Sequence, residues 1–233
     1  MRKTTTVDGI DAPVIISRRK GTKSIRISIT SNGHIRLSIP HGIPERAAVK
    51  FAQGKAEWIN KHIKPAQLLG DGMRIGKSYS LHVEHSNITR PSTKISVLDI
   101  RVRLPREVPT ESDKGQETIR KACEKALMRQ AKTLLPQRIE QLSQKHGIDF
   151  KSTTIKKLKS RWGACDNLNN IHLNCYLVQL DWSLIDYVIC HELAHTIHHN
   201  HSAEFWDKVE EMVPDYKQIK KELKPMPTDI IAV

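Results

Sequence analysis

The sequence predicts an α+β protein, with short strands first and long helices after them. Three stretches carry that expectation. Ile25, Ile27 and Ile29 alternate with polar residues, Ser31-Asn32-Gly33 intervenes, and Ile35, Leu37 and Ile39 alternate again. This is the pattern of a hairpin with one buried face. Between Ser112 and Gly147, Ile119, Ala122, Ala126, Leu127, Leu134, Leu135, Ile139 and Leu142 recur at helical spacing. From Ser183 onward, Ile185, Ile189, Leu193 and Ile197 fall on every fourth residue and mark a second amphipathic helix.

In chain order, Pro40 closes the hairpin, and Pro44 to His62 reads as a helix with proline at its start. Ala48, Phe51, Ala52, Trp58 and Ile59 lie on its expected packed side. The Lys64-Pro65 step ends it. Residues 70–104 return to short strands around Ile75, Ser78–Glu84, Ile95–Leu98 and Ile100–Leu104, with Gly70, Gly72 and Gly76 at turns. The polar, proline-bearing stretch 105–114 reads as a linker. The expected division is therefore a small antiparallel, β-rich and basic N-terminal region, 1–108, and a second domain, 109–233. The long helix runs from Ser112 to His146, bent at Pro136 and stopped by Gly147. Thr153–Leu158 and Asn170–Leu177 are strand-like, with SRWGACDNLNN between them. A turn centred near Leu168 pairs Cys165 with Ile171 and uses the turn chemistry of Asp166-Asn167 and Asn169-Asn170. Ser183 with Asp186 forms a capping-box-like start to the next helix. Pro214 breaks the pattern before a short basic helix, Tyr216–Leu223, and a loose tail, 225–233. No internal repeat is visible.

Aromatic residues are only 5% of the chain, so its cores are built mainly from aliphatic side chains. The net charge of +13 and the pI of about 9.7 are unevenly spread. The excess lies in residues 1–150, while 151–233 are close to neutral. Basic residues within 18–103 would attract nucleic acid, or simply form a solvated surface. Aromatics rarely interleave with these charges, which argues against a stacking platform. No apolar leader and no run of membrane-span length is present, which predicts a soluble, cytoplasmic protein with no membrane partner. Cys123, Cys165, Cys175 and Cys190 form no C-x-x-C pair, so buried reduced thiols are expected rather than a zinc ribbon or redox motif.

The second amphipathic helix carries His191, Glu192 and His195, the pattern H-E-x-x-H. Two histidines four apart lie one above the other on a helix, so both imidazoles can reach one metal ion. Glu192 falls beside that ion, where it can accept a proton from water. A catalytic zinc takes a third protein ligand, and His198, His199 and His201 compete for the role. His199 lies about 12 Å along the helix axis from His191, too far for one tetrahedral ion. His198 is set away from ideal closure. His201 returns to the metal if the helix ends and the chain turns near His199–Asn200, with Asn200 in the left-handed conformation. Ser202 then caps a further helix that buries Phe205, Val209 and Met212. Glu204 and Glu210 on that helix are the fallback ligands.

Two stretches carry a family resemblance: Lys159–Asn174, containing Arg161-Trp162-Gly163-Ala164-Cys165-Asp166, and Asp186–Trp206, containing HELAHTIHHNHSAEFW from His191. The chain resembles the YgjP-like metallopeptidases, relatives of the SprT-like and WLM-type zincins. The N-terminal hairpin and the helix end at Trp58-Ile59 are similar too. Ala164 and Asp166 stand where the family has serines, so this chain lacks those hydroxyls. The resemblance implies a minimal zincin-like helix and β-hairpin fold, with His191, His195 and His201 on zinc and Glu192 as general base. It also implies that the hairpin bearing Arg161, Trp162 and Gly163 is an edge strand beside the cleft, able to hold an extended peptide. Simple packing of that hairpin on the helix is the alternative for Trp162 and Gly163. The expected function is a zinc-dependent metallopeptidase acting on protein or peptide substrates, with Tyr187, Tyr216 and Arg161 as candidate oxyanion donors. The competing expectation is a nucleic-acid-associated protein that works through its basic N-terminal half, with the zinc domain as an accessory module.

Overall fold

A computed structural model describes residues 2–18, 21–29, 35–62, 68–226 and 228. The chain divides into two units, Met1–Gln67 and Leu68–Val233. In the first, β1 (Arg2–Thr5), β2 (Val14–Arg18), β3 (Arg26–Ile29) and β4 (Ile35–Ile39) form one sheet in the order β1-β2-β4-β3. The hairpin of alternating isoleucines is β3 and β4, antiparallel with Ile27 opposite Leu37. Its turn, Ser31-Asn32-Gly33, lies outside the described residues. The other edge of β4 is taken by β2 in parallel register, so the sheet is mixed rather than wholly antiparallel.

The helix expected over 44–62 is two helices, α1 (Glu45–Gln53) and α2 (Ala56–His62), separated at Gly54. Ala48, Ala52 and Ile59 are buried with Val14, Ile16, Ile35, Leu37 and Ile39. Phe51 and Trp58, expected on the packed side, are 40% and 48% exposed. The two alanines bring α1 close to the sheet, and the break at Gly54 resets the phase so that Ile59, not Trp58, points inward.

In the second unit, β5 (Arg74–Ile75), β6 (Tyr79–Ser86), β7 (Ser92–Ile95) and β8 (Asp99–Pro105) form a sheet in the order β5-β6-β8-β7. Its pairings are antiparallel, parallel and antiparallel, the same sequence as in β1-β2-β4-β3. The two sheets are thus topological repeats that the residues themselves do not advertise. Against this sheet lies α3 (Asp113–His146). The Ser112 hydroxyl accepts from the Gly115 amide at 3.1 Å, and Gly147, at φ 62°, closes the other end. Pro136 sits inside the helix, as the sequence predicts.

Leu81, Ile100, Val102 and Leu104 of the sheet share one core with Ile119, Ala126, Leu135 and Ile139 of α3. That shared burial places the division of the chain after Gln67 instead of near 108. Apolar strand faces at 74–105 need a partner, and α3 supplies it.

The rest of this core comes from β9 (Ser152–Lys156), β10 (Gly163–Cys165), β11 (Asn170–Asn174), a 3₁₀ turn at Cys175–Gln179, and helices α4 (Trp182–Ala194), α5 (Ala203–Met212) and α6 (Tyr216–Leu223). The third sheet runs β10-β11-β9, with β9 parallel to β11 and β10 on the edge. Cys165 pairs with Ile171, the register expected from the turn at Leu168. The Asp166 carboxylate accepts from the amides of Leu168 and Asn170, both at 2.9 Å, and Asn169 is left-handed at φ 60°. No described helix is long and apolar enough to cross a membrane.

Candidate metal centre

Helix α4 is held by Leu184, Ile185, Val188, Ile189 and Leu193, all buried. It begins at Trp182 after Asp181, with no side-chain cap bond, so the expected Ser183–Asp186 capping box is not formed. Asp186 instead accepts two hydrogen bonds from Arg138 of α3, at 2.7 and 2.5 Å. A guanidinium across the helix pair outcompetes a local amide because the bond is doubled and charge-assisted.

At its other end α4 tightens. Thr196 and Ile197 donate their amides to the carbonyls of Leu193 and Ala194, at 3.0 and 3.1 Å. The helix is therefore over before Ile197, which is 49% exposed and not part of the buried stripe. The reversal that follows uses no left-handed asparagine. Asn200 keeps a negative φ, and its side-chain oxygen accepts from the Ser202 amide at 3.2 Å. Ser202 is the residue before α5 but makes no side-chain cap bond, while Phe205, Val209 and Met212 are buried as expected.

This turn brings His201 back over α4. Nε2 of His201 stands 3.3 Å from Nε2 of His191, and one ring nitrogen from each of His191, His195 and His201 lies within 4.8 Å of the others. Two nitrogens on one tetrahedral ion at 2.0–2.1 Å stand about 3.4 Å apart, so the donor set fits such an ion. His198, His199, Glu204 and Glu210 are not in the cluster. Glu210 accepts from Lys217 at 3.1 Å instead.

Phe205 is the floor of the site. It is fully buried, and its ring centroid lies 4.4, 5.0 and 4.8 Å from those of His195, His191 and His201. Trp206 stacks on His201 at 5.5 Å and on Tyr216 at 5.4 Å, and the Lys220 ammonium lies 3.9 Å from the Trp206 centroid. His195 donates Nδ1–H to the His198 carbonyl at 3.1 Å, which fixes its tautomer and leaves Nε2 with a free lone pair. Burial, then the neighbouring His195, His201 and Lys220 charges, push the His191 pKa down to about 3. Burial also lowers that of His195, opposed by its bond to the His198 carbonyl. Both rings are thereby kept neutral, the form that donates a lone pair.

Glu192 is 5% exposed and makes no hydrogen bond among the described residues. Burial raises its pKa to about 8, partly opposed by the Arg161 charge. It lies against Gly163 of β10, whose added Cβ would stand 2.6 Å from both Cγ and Oε1 of Glu192. Of the hairpin residues named from the sequence, Gly163 is therefore against Glu192, and Arg161 acts on it through its charge. Trp162 is only 9% exposed and belongs to the core, which gives its indole a packing position. Tyr187 is buried, with its pKa pushed up to about 12 by that burial, and Tyr216 is buried under Trp206.

Sequence reading missed Asn174. Fully buried, it donates its side-chain amide to the carbonyls of Leu158 and Arg161, both at 3.0 Å, and so clamps the loop that leads into β10. It also missed Phe205, Trp206 and Lys220 as a surround for the three imidazoles. Phe205 was legible as helix packing, but its contact with the histidines depends on the turn at Asn200.

The chain matches the YgjP-like family, metallopeptidase domain, over residues 23–226. No curated protein sequence matches it. Two solved structures, both metallopeptidase zymogens, resemble part of it at 23% identity. Abylysin of Pyrococcus abyssi has a TM-score of 0.36, covering 40% of this chain and 95% of its own. Jannalysin of Methanocaldococcus jannaschii has 0.33, covering 38% and 93%. With the family match spanning nearly the whole chain, this protein belongs to the YgjP-like metallopeptidases.

Proposed function

We propose that the chain is a zinc-dependent peptide hydrolase in which His191, His195 and His201 hold the ion and Glu192 is the general base. The observation that carries this reading is the convergence of three imidazole nitrogens, with buried Glu192 next to His191 on the same helix. Three imidazole nitrogens suit zinc among common divalent ions, and three protein ligands leave a position for chemistry. A bound zinc supplies Lewis acidity, polarising water and the scissile carbonyl, and its charge favours ionised Glu192 over the protonated form that burial alone prefers. Glu192 accepts the water proton and delivers it to the leaving amine. Substrate lies extended along β10, the free edge of its sheet, through backbone hydrogen bonds. Arg161, exposed at the start of that edge, faces the substrate chain or its carbonyl oxygen.

The test is bound zinc and peptide-library cleavage in wild type, Glu192→Gln, His201→Ala and His199→Ala. Wild type and His199→Ala should carry about one zinc per chain, and His201→Ala should lose it. Glu192→Gln should keep zinc while cleavage falls by about 10²–10⁴-fold. Wild-type turnover in Glu192→Gln would remove the general base from this mechanism, and zinc retained in His201→Ala would move the third ligand.

A further inference from the structure

The glycine of the RWG stretch has no conformational reason to be glycine. Gly163 lies in a regular strand, paired with Leu173, and is not among the residues at positive φ. Glycine within a strand weakens it unless something must approach closely. Here the approaching group is Glu192. An ideal Cβ on Gly163 would meet Glu192 Cγ at 2.6 Å, Oε1 at 2.6 Å and Cδ at 2.8 Å. The carboxyl therefore lies flat against the bare backbone of β10, in space that any other residue would fill.

That backbone is itself held firmly. Trp162, one residue earlier, is buried, and its carbonyl accepts from the Asn174 amide at 2.8 Å. The Asn174 side chain clamps Leu158 and Arg161, and its oxygen accepts from the Tyr176 amide at 3.2 Å. Beyond Gly163, β10 continues its pairing through Ala164 and Cys165 to β11. Glu192 has no hydrogen-bond partner among the described residues, so steric contact has to set its rotamer. A side chain with rotatable bonds and no polar anchor is positioned by what it packs against.

We infer that Gly163 is a positioning residue: its bare Cα is the seat that aims the Glu192 carboxylate toward the three-histidine cluster. This rests on the reading of Glu192 as general base. Any side chain at 163 displaces the carboxylate while leaving His191 and His195 at the end of α4, and His201 in the turn before α5, in place. A displacement of about 1 Å is enough to cost on the order of 10²-fold in a positioned proton transfer.

The experiment is Gly163→Ala in wild type and in Glu192→Ala, with kcat, KM, bound zinc and melting temperature measured in the full chain. In wild type, Gly163→Ala should lower kcat by about 10–100-fold with KM within about twofold and zinc content unchanged. It should also lower the melting temperature. In Glu192→Ala the same substitution should leave the melting temperature unchanged, because the atoms it meets are gone. Wild-type kcat in Gly163→Ala, or an equal loss of melting temperature in both backgrounds, would overturn the inference. If Gly163→Ala alone fails to fold, a folded, zinc-bound double variant supports the seat, and a double variant that also fails overturns it. Glu192→Gln separates the two readings. An inactive Glu192→Gln with a fully active Gly163→Ala leaves the base standing and removes its seat, whereas an active Glu192→Gln removes the base itself.

Discussion

At the scale of single residues, the candidate centre is an arrangement of three imidazoles in an aromatic shell. Phe205 touches all three rings, and Trp206 stacks on the most exposed of them, His201. His195 has a carbonyl to orient it, whereas Nδ1 of His191 is buried without a hydrogen-bond partner among the described residues. Orientation of His201 falls mainly to Trp206, itself gripped by Tyr216 and Lys220. Trp206→Leu should therefore weaken zinc affinity by about 10–100-fold, the usual cost of losing a group that orients a ligand. Competition against a chelator of known affinity measures it, and an unchanged affinity would show that the turn at Asn200 alone holds His201. The helical spacing of His191, Glu192 and His195 was legible in the sequence. Rise per residue was enough to set His199 aside from the cluster, since it lies too far along the axis.

Among elements, the pair α3 and α4 is decisive. The doubled Arg138–Asp186 bond joins them, with the two side chains 33% and 23% exposed. Asp186→Ala leaves Arg138 with its 3.1 Å bond to Gln141 and its contact with the Trp182 ring among the described residues, and should destabilise the protein by about 1–3 kcal/mol. Urea unfolding tests this, and a change below about 0.5 kcal/mol would mean that the pair is screened like an ordinary surface bridge. Sequence spacing alone placed Asp186 in a capping box. That expectation failed because the competing partner is 48 residues away, on another helix. The same limit applies to α1 and α2: periodicity showed a helix, but which face packs was decided by the sheet beneath it.

At the scale of the whole molecule, the described residues form two cores that share no residue, one from Val7 to Ile59 and one from Leu69 to Leu223. Residues 68–233 alone should unfold in a single cooperative transition and bind zinc as the full chain does. A non-cooperative melt would show that the first unit is needed for stability. Acid should weaken the second unit through His146, at the end of α3. Its Nε2 is buried without a partner among the described residues. Its pKa is lowered first by burial, then by the charges of Lys145 and Lys208, with Glu211 opposing. The unfolded ring titrates near 6.5. Below that pH the unfolded state binds the proton more tightly than the native one, so stability falls as pH falls. Melting temperatures at pH 7.5 and 5.5 should differ less for His146→Gln than for wild type, and an equal difference would assign the acid effect elsewhere.

By itself the sequence determined the α+β class, the long helix with its glycine stop, the Cys165–Ile171 register, and the helical spacing of His191, Glu192 and His195. Each of these rests on local periodicity or turn chemistry, where neighbours within a few residues set the energy. Tertiary structure decided the boundary after Gln67, the repeated sheet topology, the aromatic floor under the histidines and the seat of Glu192 on Gly163. These depend on which distant surfaces meet. A glycine whose missing side chain makes room for a glutamate 29 positions later looks, in the chain, like any other glycine.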